Sequence, residues 1–332
     1  MAEEKRFAVI GSNSFSGSDF IDLLLQDGEN KVIGISRSPE KDALFLPYKR
    51  HRDANFAFHR MDMNNDMPKI IDLLDSFQPD CVVNFAAQSE VGPSWEDPGQ
   101  WFRTNAVSIT ELAHALKSRG YLRRYVHISS PEVYGTCEGT VTESAPMNPS
   151  TPYAASKAAG DFSLFTFVKN YDFPLVMIRS TNVYGAHQQL FKIIPRTVIN
   201  IKLGRIIELH GGGRAVKSYI HINDISRGEL LALEKGSPGE IYHLSPDSGI
   251  AIRGVVKTIC DKMGVAFEEA TTTVAERLGQ DAAYVIDSSK ARRELGWQPE
   301  VPFEKGIDGV IAWVEENWEQ IKKEPLEYIH RP

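Results

Sequence analysis

Short, unbroken apolar runs alternate with longer amphipathic stretches through the first 180 residues, and no other feature restricts the fold as much. Arg6-Phe-Ala-Val-Ile10, Lys31-Val-Ile-Gly-Ile35, Cys81-Val-Val-Asn-Phe85, Tyr125-Val-His-Ile128 and Pro174-Leu-Val-Met-Ile178 read as strands. Helical patterns fill the gaps, through Phe20–Leu25, Phe102–Lys117 and Ser156–Asn170. Strands apolar along their whole length are buried on both faces, which means a parallel sheet with helices on each side. The expected class is therefore α/β, a doubly wound parallel sheet.

The remainder reads differently: polar loops, an amphipathic stretch at Arg253–Met263, and a closing helix at Phe303–Lys322. No repeat, low-complexity tract or long linker separates the parts, so a smaller mixed α/β lobe should pack directly on the sheet. With 332 residues and a net charge of −7, the chain has ample core and no general affinity for nucleic acid or an anionic membrane. No apolar run approaches the ~20 residues that span a bilayer. The start, Met-Ala-Glu-Glu-Lys-Arg, has no secretory apolar region behind it. The three cysteines, Cys81, Cys137 and Cys260, are too scattered for a disulfide framework or a zinc site. A cytoplasmic address is expected, with no metal.

The first strand runs into Gly11-Ser-Asn-Ser-Phe-Ser-Gly17 and then a helix. Such a turn presents backbone N–H groups at a helix N-terminus to a pyrophosphate. Gly11, Asn13, Ser14, Phe15 and Gly17 are thus candidate cofactor-binding residues, although Ser14 stands where a middle glycine is expected. The second strand ends in Ser36-Arg37-Ser38. An acidic residue there would accept bonds from the adenosine ribose of NAD, whereas hydroxyls and a cation suit a 2′-phosphate. The expectation is NADP, with NAD possible; Arg37 is equally compatible with a solvated surface position.

The chemistry lies in two later segments, Ser130-Pro-Glu-Val-Tyr134 and Tyr153-Ala-Ala-Ser-Lys157. A Tyr-x-x-x-Lys pair places phenol and ammonium one helical turn apart on one face. The cation can then favour the tyrosinate, which otherwise forms only near pH ~10. Such a base removes a proton from an alcohol while hydride leaves the same carbon. Glu132 adds a second base, which alcohol oxidation alone does not require. It also follows a strand's C-terminal end, where open parallel sheets place their ligands.

These segments resemble the extended short-chain dehydrogenase/reductase family acting on nucleotide sugars, along nearly the whole chain. The markers are Gly11–Gly17, Asp62-Met63, Asn84-Phe-Ala-Ala-Gln-Ser89, Ser129-Ser-Pro-Glu-Val-Tyr-Gly135 and Tyr153/Lys157. Asn182-Val-Tyr-Gly185, Tyr219-Ile-His-Ile-Asn-Asp224, Arg277-Leu-Gly-Gln-Asp281 and Leu295-Gly-Trp-Gln-Pro299 follow. The resemblance implies a Rossmann dinucleotide-binding domain over residues 1–180, with 215–245 returning to it. Residues 181–214 and 246–332 would then form the substrate-binding lobe. It implies that Asp62 and Met63 hold the adenine end, and that Ala86, Ala87 and Gln88 line the cofactor's middle. Ser130 would bond the sugar's 4-hydroxyl, Tyr153 would be the base, and Lys157 would grip the nicotinamide ribose. Gln88, Glu90, Asn182, Lys192, Lys217 and Arg277 would face the substrate. Asn182 could equally cap a turn, and Lys192 and Lys217 could equally be solvated.

The glutamate before Val133-Tyr134 resembles the 4,6-dehydratase branch, in which a 4-ketone acidifies C5–H, Glu132 removes that proton, and the 6-hydroxyl leaves as water. Pro131 departs from the members that carry an aspartic acid there, so Glu132 or a water must protonate the leaving group. Lys217 departs from the usual arginine and gives a point charge in place of a fork. A decarboxylase or a 4-epimerase of the same family, and a non-catalytic NADP-binding regulator, are the alternatives. Relatives dimerise through two helices per subunit; the matching helices are Phe102–Lys117 and Ser156–Asn170, where Phe162, Leu164, Phe165 and Phe167 supply apolar surface or equally belong to the ordinary core. The expected partners are a nucleotide-diphosphate sugar and a second copy of the chain.

Overall fold

A computed structural model describes residues 5–51, 55–136, 139–275 and 283–330. Strands β1 (Arg6–Ile10), β2 (Lys31–Ser36), β3 (Phe56–Arg60), β4 (Cys81–Asn84) and β5 (Arg124–Ile128) alternate with helices α1 (Phe15–Leu24), α2 (Met67–Phe77), α3 (Pro98–Phe102) and α4 (Ile109–Leu116). A π-helical turn over Arg103–Ser108 joins α3 to α4. The short strand β6 (Thr140–Val141), helix α5 (Pro152–Tyr171) and strand β7 (Leu175–Ser180) follow.

The region expected to be mostly polar loop is in fact well ordered into elements. It holds β8 (Asn182–Tyr184), α6 (Ile193–Lys202), β9 (Ile207–His210), β10 (Val216–Lys217), β11 (Tyr219–His221), α7 (Ile222–Lys235) and β12 (Ile241–Leu244). The apolar stripes of α6 and α7 are broken by polar residues, and it is packing against neighbours that completes them. The closing helix also differs from expectation. It stops at Glu316, and a separate turn runs over Trp318–Ile321.

One sheet carries seven parallel strands in the order β12-β7-β5-β4-β1-β2-β3. The order reverses between β1 and β4, and crevices beyond the carboxyl ends at such a reversal receive ligands. Each face of the sheet has its own apolar core, one built on Val9, Phe20, Val83 and Val126, the other on Ile10, Ile35, Leu112 and Leu175. A further core around Ile194, Val198, Ile259 and Val310 holds the lobe of α6 and the later helices. Two of the sequence markers are structural here. Asp224 accepts the backbone N–H groups of Glu300 and Val301 at 3.0 Å each, while the Trp297 indole donates to its carbonyl at 2.8 Å.

Leu164 and Phe167 are buried in the core, the alternative that the sequence left open for them. Phe162 stays 59% exposed on the same helix, with Phe102 and Val107 exposed nearby in sequence on the α3–α4 stretch. Among the described residues no helix is long and apolar enough to cross a membrane.

Candidate active site

The glycine turn sits at the sheet's reversal. Gly11 has φ +89°, and a Cβ on it would lie 2.6 Å from the Ala86 backbone nitrogen. Only glycine permits that approach between the end of β1 and the loop after β4. Ser14 is not a defective glycine: it caps α1, its hydroxyl accepting the Gly17 N–H at 3.0 Å. The turn is buttressed from β2, where the Ser36 hydroxyl accepts the Asn13 N–H at 3.0 Å. The Asn13 side-chain amide in turn donates to Ser38 and Pro39. Ser36 is thus occupied in holding the turn, whereas Arg37 is half-buried, with Arg60 Nε donating to its carbonyl at 3.3 Å. Backbone pressed this closely under an open helix N-terminus fits a dinucleotide pyrophosphate.

Asp62 and Met63 follow β3. Met63 is buried, and the Asp62 carboxylate accepts the Asn64 N–H at 2.9 Å and the Asn65 side chain at 2.8 Å. After β4, Ala86, Ala87 and Gln88 run along the crevice, with the Ala86 N–H donating to Asn84 Oδ1 at 3.1 Å. Asn105, which no sequence motif marks, fixes this loop. Its Oδ1 accepts the Gln88 N–H, and its Nδ2 donates to the Gln88 carbonyl and to Ser156, each at 2.9 Å. Asn105 sits on the π-helical turn, a feature frequent at functional sites. A polar residue inside an amphipathic helical stretch was the available signal.

Ser130 caps a 3₁₀ turn over Pro131–Tyr134 and accepts the Glu132 N–H at 3.2 Å. Tyr153 lies in the first turn of α5, capped by Thr151, earlier than the sequence pattern started the helix. Its phenol faces the Ser130 hydroxyl. Burial pushes that phenol far above its usual range, the Glu132, Glu90 and Asp161 carboxylates add to the rise, and the Ser130 hydroxyl opposes it. Among the protein's own groups, desolvation is the largest influence on this phenol. Lys157 is itself fully buried, donating to the Ile128 carbonyl at 2.8 Å, with His127 Nε2 at 3.4 Å. Burial pushes its ammonium down to about 8, with Asp161 resisting and Arg179 assisting the fall.

The candidate substrate residues come from separate elements. Lys192 at the start of α6 reaches Glu90 at 2.6 Å. Asn182 on β8 donates to the Ser218 carbonyl at 3.2 Å, one residue beyond Lys217 of β10. Arg277 lies outside the described residues. The C-terminal segment, also unanticipated, crosses this side: Tyr328 packs edge-on against Phe191, and His330 stacks on Trp101 of α3 at 5.3 Å.

A family model described as GDP-mannose 4,6 dehydratase matches residues 9–310. The dTDP-glucose 4,6-dehydratase of Streptomyces antibioticus is 36% identical over 259 residues, 76% of this chain and 77% of that protein. That of Streptomyces niveus is 34% identical over 330 residues, 96% of each chain. Among solved structures, the dTDP-glucose 4,6-dehydratase DesIV of Streptomyces venezuelae, with NAD bound, superposes with a TM-score of 0.88 at 31% identity, covering 95% of this chain and 98% of its own.

Proposed function

This chain belongs to the GDP-mannose 4,6 dehydratase family, within the extended short-chain dehydrogenase/reductases, and from that premise we propose how its residues divide the work. It is a nucleotide-sugar 4,6-dehydratase, converting an NDP-hexose to the NDP-4-keto-6-deoxyhexose and water. The reading of the site rests on one observation: Ser130, Glu132 and Tyr153 converge beyond the sheet's carboxyl ends, with Lys157 beneath them.

A bound nicotinamide dinucleotide would supply reversible hydride acceptance for the sugar. Gly11, Asn13, Ser14, Phe15 and Gly17 would hold its pyrophosphate, Asp62 and Met63 its adenine end, and Ala86, Ala87 and Gln88 its middle. Ser130 orients the 4-hydroxyl. Tyr153 removes that hydroxyl's proton, and Lys157 offsets the negative charge that develops. The 4-ketone acidifies C5–H, and Glu132 takes this proton. With Pro131 offering no acid, protonated Glu132 delivers a proton to the departing 6-hydroxyl, and a proton from solvent is then added at C5 to complete the 4-keto-6-deoxy sugar. Gln88, Glu90, Asn182, Lys192, Lys217 and Arg277 are assigned to the substrate side.

For the cofactor our reading is NADP. The absence of an acidic residue at the end of β2, together with Arg37 and the neighbouring Arg60, supports it, although DesIV carries NAD. Mass analysis of dinucleotide released from the purified enzyme decides between the two. We assign residues 1–180 and 215–245 to the dinucleotide half and the rest to the substrate lobe. A homodimer through the helices bearing Phe102, Val107 and Phe162, and a cytoplasmic address, complete the reading.

The test is a mass-spectrometric screen of dTDP-glucose, GDP-mannose, CDP-glucose, UDP-N-acetylglucosamine and UDP-glucuronate in deuterated water. Loss of one water with a deuteron gained at C5 identifies the substrate and supports the roles above. Carbon dioxide release or simple epimerisation would overturn the role given to Glu132.

A further inference from the structure

Behind Tyr153 and Lys157 runs a chain of buried polar side chains that the dehydratase chemistry does not by itself require. Asp161 lies one turn below Lys157 on α5 and is fully buried. Its Oδ2 accepts from the Ser129 hydroxyl and from Arg179 Nη2, each at 2.7 Å. Ser129 immediately precedes the capping Ser130. The other guanidinium nitrogen of Arg179, on β7, donates to the Tyr134 hydroxyl, at the far end of the turn that carries Glu132. Tyr134 continues to His243 Nε2 at 2.7 Å, on β12. Asp161 Oδ1 has no hydrogen-bond partner and faces His127 Nε2 at 3.9 Å, and His127 in turn faces the Lys157 ammonium.

A fully buried ion pair contributes little net stability compared with well-packed apolar side chains. What this pair does have is position, because it touches both segments that bear the acid–base groups. We propose that Asp161 is a positioning residue: through its pair with Arg179 it sets the charge at Lys157 and locks the Ser130–Tyr134 turn against α5. The proposal rests on Tyr153 and Lys157 being the acid–base pair.

The charged and titratable groups facing Lys157 are His127 from β5, Arg179 from β7 and Asp161 from its own helix. Those facing Tyr153 are Glu132 from the turn, Glu90 from the loop after β4, and Asp161. The Asp161 charge favours the ammonium of Lys157 and opposes the tyrosinate of Tyr153, so it raises both titrations. Its removal lowers both. That signature differs from mere loosening of the site, which cuts the rate without moving either limb of a pH profile.

The test compares Asp161→Asn with wild-type holoenzyme in the pH profile of kcat. In parallel, Tyr153 ionisation is followed as the near-ultraviolet tyrosinate difference from Tyr153→Phe. The expected result is a bell whose two limbs move together to lower pH by about one unit, with the tyrosinate titration moving alike. Asp161→Glu should restore the position. Limbs that stay in place while only the amplitude falls would overturn the proposal. If Asp161→Asn does not fold, the double variant Asp161→Asn/Arg179→Met removes both buried charges. Its tyrosinate titration should still move to lower pH, and an unmoved titration again refutes the role. Retained bound-cofactor reduction by Tyr153→Phe would instead refute the acid–base assignment beneath it.

Discussion

Lys192 Nζ and a Glu90 carboxylate oxygen lie 2.6 Å apart, across a sequence separation of 102 residues. The pair joins the lobe helix α6 to the loop after β4, so it bridges the two sides of the crevice. Both groups are partly exposed, at 35% and 22% of their side chains, and the bond therefore contributes modestly to stability. Its consequence is competitive: a substrate diphosphate that recruits Lys192 must displace Glu90. Glu90→Gln is expected to lower KM a few-fold. It should also move the acid limb of kcat to lower pH, since the Glu90 charge holds the Tyr153 proton on. Steady-state kinetics across pH measures both effects.

Glu132→Gln should separate oxidation from elimination. The amide keeps its place after the Ser130 cap but cannot accept the C5 proton. Turnover is expected to fall by ~10²–10⁴, while substrate still reduces the bound cofactor. Single-turnover absorbance of the reduced nicotinamide, with mass analysis for C5 deuteration, reads the two steps independently.

Tyr153→Phe should stop cofactor reduction itself. The loss is expected at ~10²–10⁴-fold or more, with substrate affinity little changed, because Ser130 remains to bond the 4-hydroxyl. The comparison is single-turnover reduction against equilibrium binding of the nucleotide sugar.

The buried histidine of β12 predicts an acid-side loss of stability. Burial and the Arg179 cation depress His243 to about 3. Between its unfolded value near ~6.5 and that folded value, protons bind the unfolded state preferentially. The stabilisation is thus complete above pH ~6.5 and declines as pH falls, by up to ~1.4 kcal/mol per unit. His243→Gln should flatten the slope of urea-unfolding free energy between pH 6 and 4. Asp19, raised to about 6 by burial, acts in the opposite direction in both proteins and cancels in the difference.

Gly11→Ala tests the turn at the sheet's reversal. The substitution places a methyl 2.6 Å from the Ala86 nitrogen at a positive φ, against backbone that cannot swing aside. A cost of ~1–3 kcal/mol is expected, together with loss of co-purifying dinucleotide. Thermal melting and the absorbance of released cofactor check the two.

The sequence by itself determined what local geometry governs. Continuous apolar runs at Arg6–Ile10 and Cys81–Asn84 gave buried parallel strands, and the glycine turn between β1 and α1 was legible because backbone sterics act over neighbouring residues. Tyr153 and Lys157 share a face because a helix repeats every 3.6 residues. Less legible were α6, α7 and β12, whose apolar residues gain their partners only from distant elements. Nothing local distinguishes His127, Arg179 and His243 as polar residues in buried strands that face one another. Tertiary structure alone joined Asp161 to Arg179, Asn105 to Gln88 and Glu90 to Lys192. It also set the direction in which Tyr153 and Lys157 titrate, because burial and neighbouring charges depend on what surrounds a group in space. Sheet order brings those neighbours together, and sheet order is a property of the whole chain.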